Sequence, residues 1–267
     1  MKPLLALPVL CVALGAAPPA IAQQMDDLPP GMQRAEVLGG WQTPSGSRMV
    51  ALRIALDAGW KTYWRAPGDA GIPPQFNFAR SENLADVTFF WPTPEVFDQN
   101  GMRSVGYDDE LILPIEIRPA DPDKPISLSA DLDFGICQEI CVPVSVALSA
   151  DLDGPGAPDE AIRTALLDRP EPRPDHARCM IEPISDGVRV TAMMDLPPTG
   201  QEEVALFELA STPVWVSDSV AHRDGNTLTA MAEFVPENAQ PFALDRQDLL
   251  ITVLSGDTAV EIRGCAE

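Results

Sequence analysis

Short segments in which apolar and polar residues alternate recur along most of the chain, and this pattern constrains the fold more than any other feature. A period of two places one set of side chains on a core and the other in water, as in a half-buried antiparallel strand. Pro and Gly are frequent, with 28 and 18 residues, and bound many segments. The sequence therefore predicts an all-β fold, with strands over 49–56, 111–117, 126–132, 142–148, 188–193, 204–209, 214–216, 228–234, 249–254 and 259–262.

One stretch interrupts the strand pattern. Residues 151–158 have the Gly- and Pro-rich composition of a linker, and Asp159 is suited to cap a short helix over 160–167. The chain is therefore predicted to contain two antiparallel β-sandwich domains, residues 29–152 and 175–267, joined by a Pro-rich linker, residues 153–174, with one short helix. A single continuous sandwich is the alternative.

Two prolines fall inside predicted strands. Pro114 and Pro143 have no backbone N–H to give to a neighbouring strand. Each is therefore predicted to lie in an edge strand or at a bulge.

The N-terminus has the layout of a secretory signal peptide. Lys2 precedes an apolar run over 4–17 that is too short to span a bilayer, and Ala20-Ile21-Ala22 matches a cleavage site. We predict a signal peptide over 1–22 and a periplasmic protein; a retained membrane anchor is the alternative. No later stretch is apolar and long enough to span a membrane.

The chain is strongly acidic, with 18 basic and 40 acidic residues and a net charge of −22. Such a charge repels phosphate backbones, so nucleic-acid binding is excluded. No zinc motif, glycine-rich phosphate loop or hydrolytic Ser/His/Asp order is present in a suitable context, so neither a cofactor nor a metal is predicted.

Four cysteines follow the predicted signal peptide, which suggests two disulfides in an oxidising compartment. Cys179 and Cys265 stand at the two ends of the second domain. A bridge between them would close a long loop, which is the case in which a disulfide stabilises most. We predict a structural disulfide there.

Cys137 and Cys141 are too close in sequence for a bridge between them to stabilise the fold much. In one extended strand their Cα atoms would lie about 13 Å apart, beyond disulfide reach. A tight hairpin between two strands would bring them together. This pair is the predicted redox site, and a purely structural bridge is the alternative.

The residues near this pair in sequence predict a direction of electron flow. No Lys, Arg or His lies between Asp131 and Asp151, so nothing local stabilises a thiolate. A disfavoured thiolate implies a stable disulfide and a pair that donates electrons more readily than it accepts them.

Two motifs resemble a known family. The run GWKTYWRAPGD at residues 59–69, together with Cys137-x-x-x-Cys141-Val142-Pro143, is similar to the N-terminal periplasmic domain of DsbD-type thiol:disulfide interchange proteins, and most similar to the suppressor-of-copper-sensitivity B branch. The resemblance covers about residues 30–150. It implies an immunoglobulin-like fold that takes electrons from a membrane thiol transporter and passes them to oxidised periplasmic partners.

The resemblance also implies roles for single residues. Cys141 would form the mixed disulfide with partners and Cys137 would resolve it. A cap loop shields the cysteines in that family, and its counterpart here, placed by the similar run at 107–114, would consist of Phe97, Asp98, Gln99, Asn100 and Gly101. An ordinary core role is the alternative for Phe97.

The resemblance does not extend to a membrane-spanning electron channel or a thioredoxin-like domain. The chain is therefore expected to be one module of a relay, with a separate membrane thiol transporter as donor and thioredoxin-like periplasmic proteins as partners.

Two other functions remain open. Cys-x-x-x-Cys followed by Pro also resembles the copper site of Sco-type chaperones, which would make the chain a Cu(I)-binding or copper-tolerance protein. That family needs a distant His and a thioredoxin fold, whereas His176 and His222 both lie outside the cysteine domain. The other possibility is a binding scaffold in which both disulfides are structural.

Overall fold

The computed structural model describes residues 28–68, 71–99, 101–174, 176–210, 213–256 and 258–267. The predicted signal peptide, residues 1–22, lies outside this part of the chain. The described residues contain strands and one short helix, which confirms the all-β class.

The first ten strands form two facing sheets, which we call the first sandwich. One sheet has the order β1-β2-β8-β5, and the other has the order β10-β9-β3-β7-β6 with β4 paired to β9. The strands are β1 (Met32–Gln42), β2 (Arg48–Leu56), β3 (Lys61–Tyr63), β4 (Gln75–Asn77), β5 (Leu84–Phe89), β6 (Glu95–Gln99), β7 (Met102–Asp108), β8 (Glu110–Pro119), β9 (Ile126–Cys137) and β10 (Cys141–Leu152).

The remaining strands form the second sandwich, with sheets β11-β19-β18-β14 and β12-β13-β17-β15, in which β16 also pairs with β17. All its strand pairs are antiparallel except β11 with β19. The elements are the helix α1 (Glu160–Leu167) and the strands β11 (Glu171–Pro172), β12 (Ala177–Pro183), β13 (Val188–Asp195), β14 (Glu203–Leu209), β15 (Trp215–Val216), β16 (Val220–Asp224), β17 (Thr227–Val235), β18 (Leu249–Ser255) and β19 (Thr258–Arg263).

The helix α1 begins where the sequence predicts. The Asp159 carboxylate accepts hydrogen bonds from the backbone N–H groups of Ala161 at 2.8 Å and Ile162 at 3.3 Å, which satisfies two donors at the helix start. Ile162 is buried against Met49 and Ala51 of β2. The helix thus covers the outer face of the first sandwich, although it lies in the predicted linker. The division at 29–152 and 175–267 stays a proposal.

The two prolines have different positions. Pro143 lies in β10, the end strand of its sheet, as predicted. The prediction for Pro114 is wrong, because β8 lies between β2 and β5. β5 ends at Phe89, and the next residue, Phe90, donates its N–H to the Pro114 carbonyl at 2.9 Å. The proline nitrogen thus points past the end of β5, where the pairing with β8 has stopped and no N–H is needed.

The two sandwiches share a buried contact. Every residue of β18 is buried, although a strand at a surface has one exposed face. Ile251 and Val253 belong to the core of the second sandwich. Leu254, with Leu206 and Ala259, packs instead against the core of the first. The continuous apolar run over 249–254 reflects this burial on both faces.

An ion cluster crosses the same contact. The Arg65 guanidinium binds Glu208, with Nε–Oε1 and Nη2–Oε2 distances of 3.0 Å, and Glu261, with an Nη2–Oε2 distance of 2.8 Å. It also lies 4.1 Å from the centre of the Trp64 ring. Burial raises the pKa of Glu208 and the charge of Arg65 opposes this effect. Arg65 therefore offsets part of the cost of placing the Glu208 carboxylate between the sandwiches.

The second sandwich is closed by the disulfide between Cys179 of β12 and Cys265, whose Cα atoms are 5.7 Å apart. Both residues are buried in the core of that sandwich. The Cys179 N–H donates to the Ala266 carbonyl at 2.8 Å, so backbone bonds flank the bridge.

Removing this disulfide should destabilise the protein without altering its redox site. We expect the Cys179→Ala/Cys265→Ala protein to lose about 4 kcal/mol in free energy of unfolding, because the unfolded chain regains the freedom of a long loop. Denaturant unfolding followed by fluorescence measures this loss. An unchanged midpoint would show that the bridge does not stabilise the fold.

Arg65→Met should lower the free energy of unfolding by about 3 kcal/mol at pH 7, because it leaves two partly buried carboxylates without their partner. Without Arg65, burial raises the Glu208 pKa further, so the folded state binds this proton more tightly than the unfolded chain. The deficit relative to the unmodified protein should therefore shrink as pH falls through that pKa. Denaturant unfolding at several pH values tests this, and a deficit that grows on acidification would contradict it.

Candidate functional site

The hairpin between β9 and β10 brings the two closely spaced cysteines together. Cys137 ends β9 and Cys141 begins β10, and the register pairs these two residues directly. Their Cα atoms are 4.2 Å apart and their sulfurs form a disulfide. The three intervening residues form the turn, in which the Gln138 N–H donates to the Ile140 carbonyl at 3.4 Å.

The disulfide lies on the outer face of the first sandwich. Alternate residues of β9, such as Phe134 and Ile136, point into the core, so Gly135 and Cys137 point outward. Cys137 is nonetheless only 2% exposed, whereas Cys141 is exposed. One sulfur-bearing residue is thus open to another protein and the other is shielded.

Tyr63 of β3 accounts for much of this shielding. Its hydroxyl lies 2.6 Å from Cys137 Sγ and 3.1 Å from Cys141 Sγ, and donates toward them because disulfide sulfurs carry no hydrogen. Burial raises the pKa of Tyr63, so the phenol keeps its proton.

Gly135 makes room for the Tyr63 ring. A Cβ atom on Gly135 would lie 3.1 Å from Tyr63 Cε2 and 2.8 Å from the Cβ of Ile72. The distance to Ile72 is shorter than real Cβ contacts and the distance to Tyr63 is tighter than most of them, so the ring and Ile72 occupy the space above the strand. The missing side chain at Gly135 therefore places the phenol against the sulfurs.

The sequence interpretation of Tyr63 missed this contact. From the sequence alone, the cluster of Trp60, Tyr63 and Trp64 is most simply explained as core packing, with a docking surface as the alternative. Trp64 is fully buried in the core of the first sandwich, as expected. Neighbouring residues of a strand point to opposite faces, however, so Tyr63 and Trp64 cannot share one core. The alternation of side chains along a strand could therefore have shown from the sequence that Tyr63 points away from the core.

Lys61 is a second group that local sequence did not reveal. It pairs directly with Cys137 across β3 and β9, and is only 6% exposed. Its ammonium lies 4.7 Å from the centre of the Phe97 ring, and burial lowers its pKa. The residues near the pair in sequence therefore do not include every charged residue on this face, because β3 brings Lys61 from a distant part of the chain. The direction of electron flow inferred from those residues stays a prediction.

The predicted cap loop lies at the other side of this sheet. Phe97, Asp98 and Gln99 are in β6, which β3 and β7 separate from β9. Gly101 has a φ of +78° at the turn into β7, a conformation that favours glycine. Asn100 lies outside the described residues. Phe97 contacts Lys61, and Lys61 is paired with Cys137 across β3 and β9. The shielding role of this segment stays a prediction.

The arrangement is suited to thiol–disulfide exchange. An accessible sulfur can be attacked by, or can attack, an external sulfur, and a shielded sulfur beside it can complete the exchange. Within the described residues, no three or more His, Cys, Asp or Glu side chains are grouped as metal ligands.

Comparison with known proteins gives an independent observation. Residues 34–152 match the family described as "Thiol:disulfide interchange protein DsbD, N-terminal". The fold is similar to the N-terminal periplasmic domain of ScsB from Proteus mirabilis, with a TM-score of 0.61 and 21% identity over 87% of this chain and 91% of that one. At this identity the likeness shows the fold.

A second solved structure, of manganese lipoxygenase of Gaeumannomyces graminis with part of zonadhesin of Komagataella pastoris, is 11% identical over 86% of this chain and 92% of that one. Its TM-score of 0.16 supports no argument. Curated proteins gave no match. No helix in the described part of the chain has the length and apolar character needed to cross a membrane.

Tyr63→Phe should make the reduced cysteines less reactive while leaving the fold intact. A hydroxyl that donates to a thiolate favours the charged form, so its removal raises the thiol pKa. We expect roughly tenfold less thiolate at neutral pH, which corresponds to the loss of one hydrogen bond to a charged group. The pH dependence of the alkylation rate of the reduced protein measures this effect.

Tyr107→Phe is the matched control, because Tyr107 is the other of the two tyrosines in the chain. It is also buried, and its hydroxyl donates to the Pro92 carbonyl at 2.9 Å. This variant loses the same group elsewhere and should keep the original alkylation profile. Identical profiles for both variants would remove Tyr63 from the site.

Proposed function

We propose, from the membership of residues 34–152 in the family of DsbD N-terminal domains, that the chain is a periplasmic thiol:disulfide interchange module acting through Cys137 and Cys141. The observation that carries the proposal is the asymmetry of the pair. Cys141 is exposed at the start of an end strand, while Cys137 is shielded on the outer face of the same sheet.

In the proposed reaction the reduced module reduces a partner disulfide in two steps. The Cys141 thiolate attacks one partner sulfur, the partner S–S bond breaks, and the second partner sulfur leaves as a thiolate that takes up a proton. Cys137 then loses its proton and attacks Cys141 Sγ. The Cys137–Cys141 disulfide forms and the first partner sulfur leaves as a thiol. Two electrons and two protons pass to the partner.

Exposure assigns these two roles. An incoming protein can reach Cys141, so this residue would form the mixed disulfide. Cys137 lies beside it and away from solvent, so it meets only the sulfur already bound to Cys141. The shielding would limit the lifetime of the mixed disulfide because resolution needs no further encounter.

Tyr63 supports the thiolate steps. The Tyr63 hydroxyl lies within hydrogen-bond distance of both sulfurs, so it can donate to whichever sulfur carries the charge. Such a hydrogen bond favours the thiolate, which is the nucleophile in the exchange.

The partners follow from the family and from the chemistry. We propose that a membrane thiol transporter on a separate chain returns the module to its dithiol form by the reverse exchange. Thioredoxin-like periplasmic proteins would then take the electrons. The site has the exposed and the shielded cysteine that such exchange needs.

The copper alternative would require a histidine near the cysteines. The two histidines of the chain, His176 and His222, lie in the second half of the sequence. Within the described residues, no group of three or more His, Cys, Asp or Glu side chains could hold a metal ion.

Trapping of mixed disulfides tests the proposal. Cys137→Ala leaves Cys141 able to capture partners that cannot then be released, and thioredoxin-like proteins should accumulate on it in the periplasm. Cys141→Ala should trap at least about tenfold less, since Cys137 is shielded. Mass spectrometry of purified adducts measures both. Equal trapping by the two variants would contradict the assigned roles.

Intact-mass titration in a dithiol redox buffer separates the other functions. A pair that opens and closes while the fold persists supports exchange. A Cys137–Cys141 bridge that resists reduction until global unfolding would instead make the chain a scaffold. Stoichiometric retention of Cu(I) by the reduced protein, lost when the cysteines are replaced by Ser, would instead favour copper binding.

A further inference from the structure

The open edge of β10 beside Cys141 has a feature that the exchange mechanism does not use. β10 pairs with β9 on one side and ends the sheet on the other, and no strand of the described chain pairs with this second side. An unpaired edge presents backbone N–H and C=O groups that can bind another extended chain.

The disulfide geometry shows which backbone groups point to this edge. In antiparallel sheets, directly opposed residues alternate between hydrogen-bonded pairs, with Cα atoms about 5.5 Å apart, and non-hydrogen-bonded pairs at about 4.5 Å. Cys137 and Cys141 have a Cα–Cα distance of 4.2 Å and are therefore a non-hydrogen-bonded pair. The N–H and C=O of Cys141 thus point away from β9, toward the open edge.

Pro143 limits the backbone donors that this end of β10 offers at the edge. Backbone groups of alternate residues point the same way, so those of Pro143 also face the edge, but a proline has no N–H to donate. Val142 between them turns its groups to β9. Cys141 is therefore the residue at this end of β10 that offers both a donor and an acceptor to an incoming strand.

The surroundings of Cys141 also suit an incoming chain. Ile140, the preceding residue, is 76% exposed. A large apolar side chain open to water beside a reactive cysteine provides a surface that a partner would cover. Cys141 is itself exposed, so the edge is accessible at this point.

We propose that a cysteine-containing extended segment of the partner pairs antiparallel to β10, exchanging two backbone hydrogen bonds with Cys141. This inference rests on the proposed function and names how its partner is recognised. The paired residues would form a hydrogen-bonded pair with Cα atoms about 5.5 Å apart. That spacing is also the common Cα separation of a disulfide. A partner cysteine directly opposite Cys141 would then have its Cα within the range of a disulfide while it makes both backbone bonds.

Two peptide disulfides test this pairing. One is an acetylated pentapeptide amide with a central cysteine joined to 2-thio-5-nitrobenzoate, and the other is the same peptide methylated on the cysteine backbone nitrogen. The reduced Cys137→Ala protein attacks the peptide sulfur through Cys141 and releases the coloured thiolate. Rates are divided by those of 2-mercaptoethanol with the same peptides, which removes any difference in intrinsic reactivity.

We expect the unmethylated peptide to react roughly tenfold faster, because methylation removes the donor to the Cys141 carbonyl and places a methyl group in its way. In the resulting mixed disulfide with the unmethylated peptide, hydrogen exchange of the Cys141 amide should be slowed at least about tenfold relative to the free protein. Pro143→Ala restores a donor two residues along the edge and should speed the unmethylated peptide a further few-fold.

Equal normalised rates for the two peptides, or an unprotected Cys141 amide in the adduct, would overturn edge pairing. Reaction with 5,5′-dithiobis(2-nitrobenzoate), which has no backbone to pair, serves as the reference for the proposed function. A normal reaction with this reagent alongside equal peptide rates rejects only the pairing. A reduced protein with its fold intact that reacts with neither the reagent nor the peptides would reject thiol exchange itself.

Discussion

The register between β9 and β10 is the constraint on which the rest of the site depends. It opposes Cys137 and Cys141 across a three-residue turn, directs both sulfurs to the outer face, and leaves one of the two residues at the end of the sheet. A slip of one residue would turn every side chain of β10 to the other face. The valines of β10, which pack against the core of the first sandwich, oppose such a slip. Core packing therefore holds the redox pair in place.

The shielding of the Cys137 sulfur depends on the absence of a side chain at Gly135. Because Gly135 has no Cβ, the Tyr63 ring can lie on the sheet and bring its hydroxyl to the sulfurs. Two residues further, Arg65 is held by Glu208 and Glu261 of the second sandwich. The segment that carries Tyr63 is thus fixed at one end by strand pairing and at the other by an ion cluster. The second sandwich thus supports the site through Arg65.

The sequence predicted what is encoded by near neighbours. Ten of the strands, the α1 helix with its Asp159 cap and the β9–β10 hairpin follow from periodicity or turn length. The other strands of the described chain, β1, β3 to β7, β11, β12 and β16, were not predicted. Tyr63 and Lys61 could not be placed in this way, since 74 residues separate Tyr63 from Cys137 and β3 is only three residues long. Pro114 was assigned to an edge because the pattern does not show where a neighbouring strand stops. To predict contacts between distant strands, one must know their register, and a single sequence does not reveal it.

The burial of β18 on both faces has a consequence for dividing the protein. Leu206, Leu254 and Ala259 would meet water if the second sandwich were produced alone, and the part of the first core that they cover would meet water if the first sandwich were produced alone. Arg65 would at the same time lose both carboxylates that neutralise it. Each half would then expose an apolar patch that favours self-association. Neither half can therefore be exchanged for an unrelated module without redesigning the surface between them.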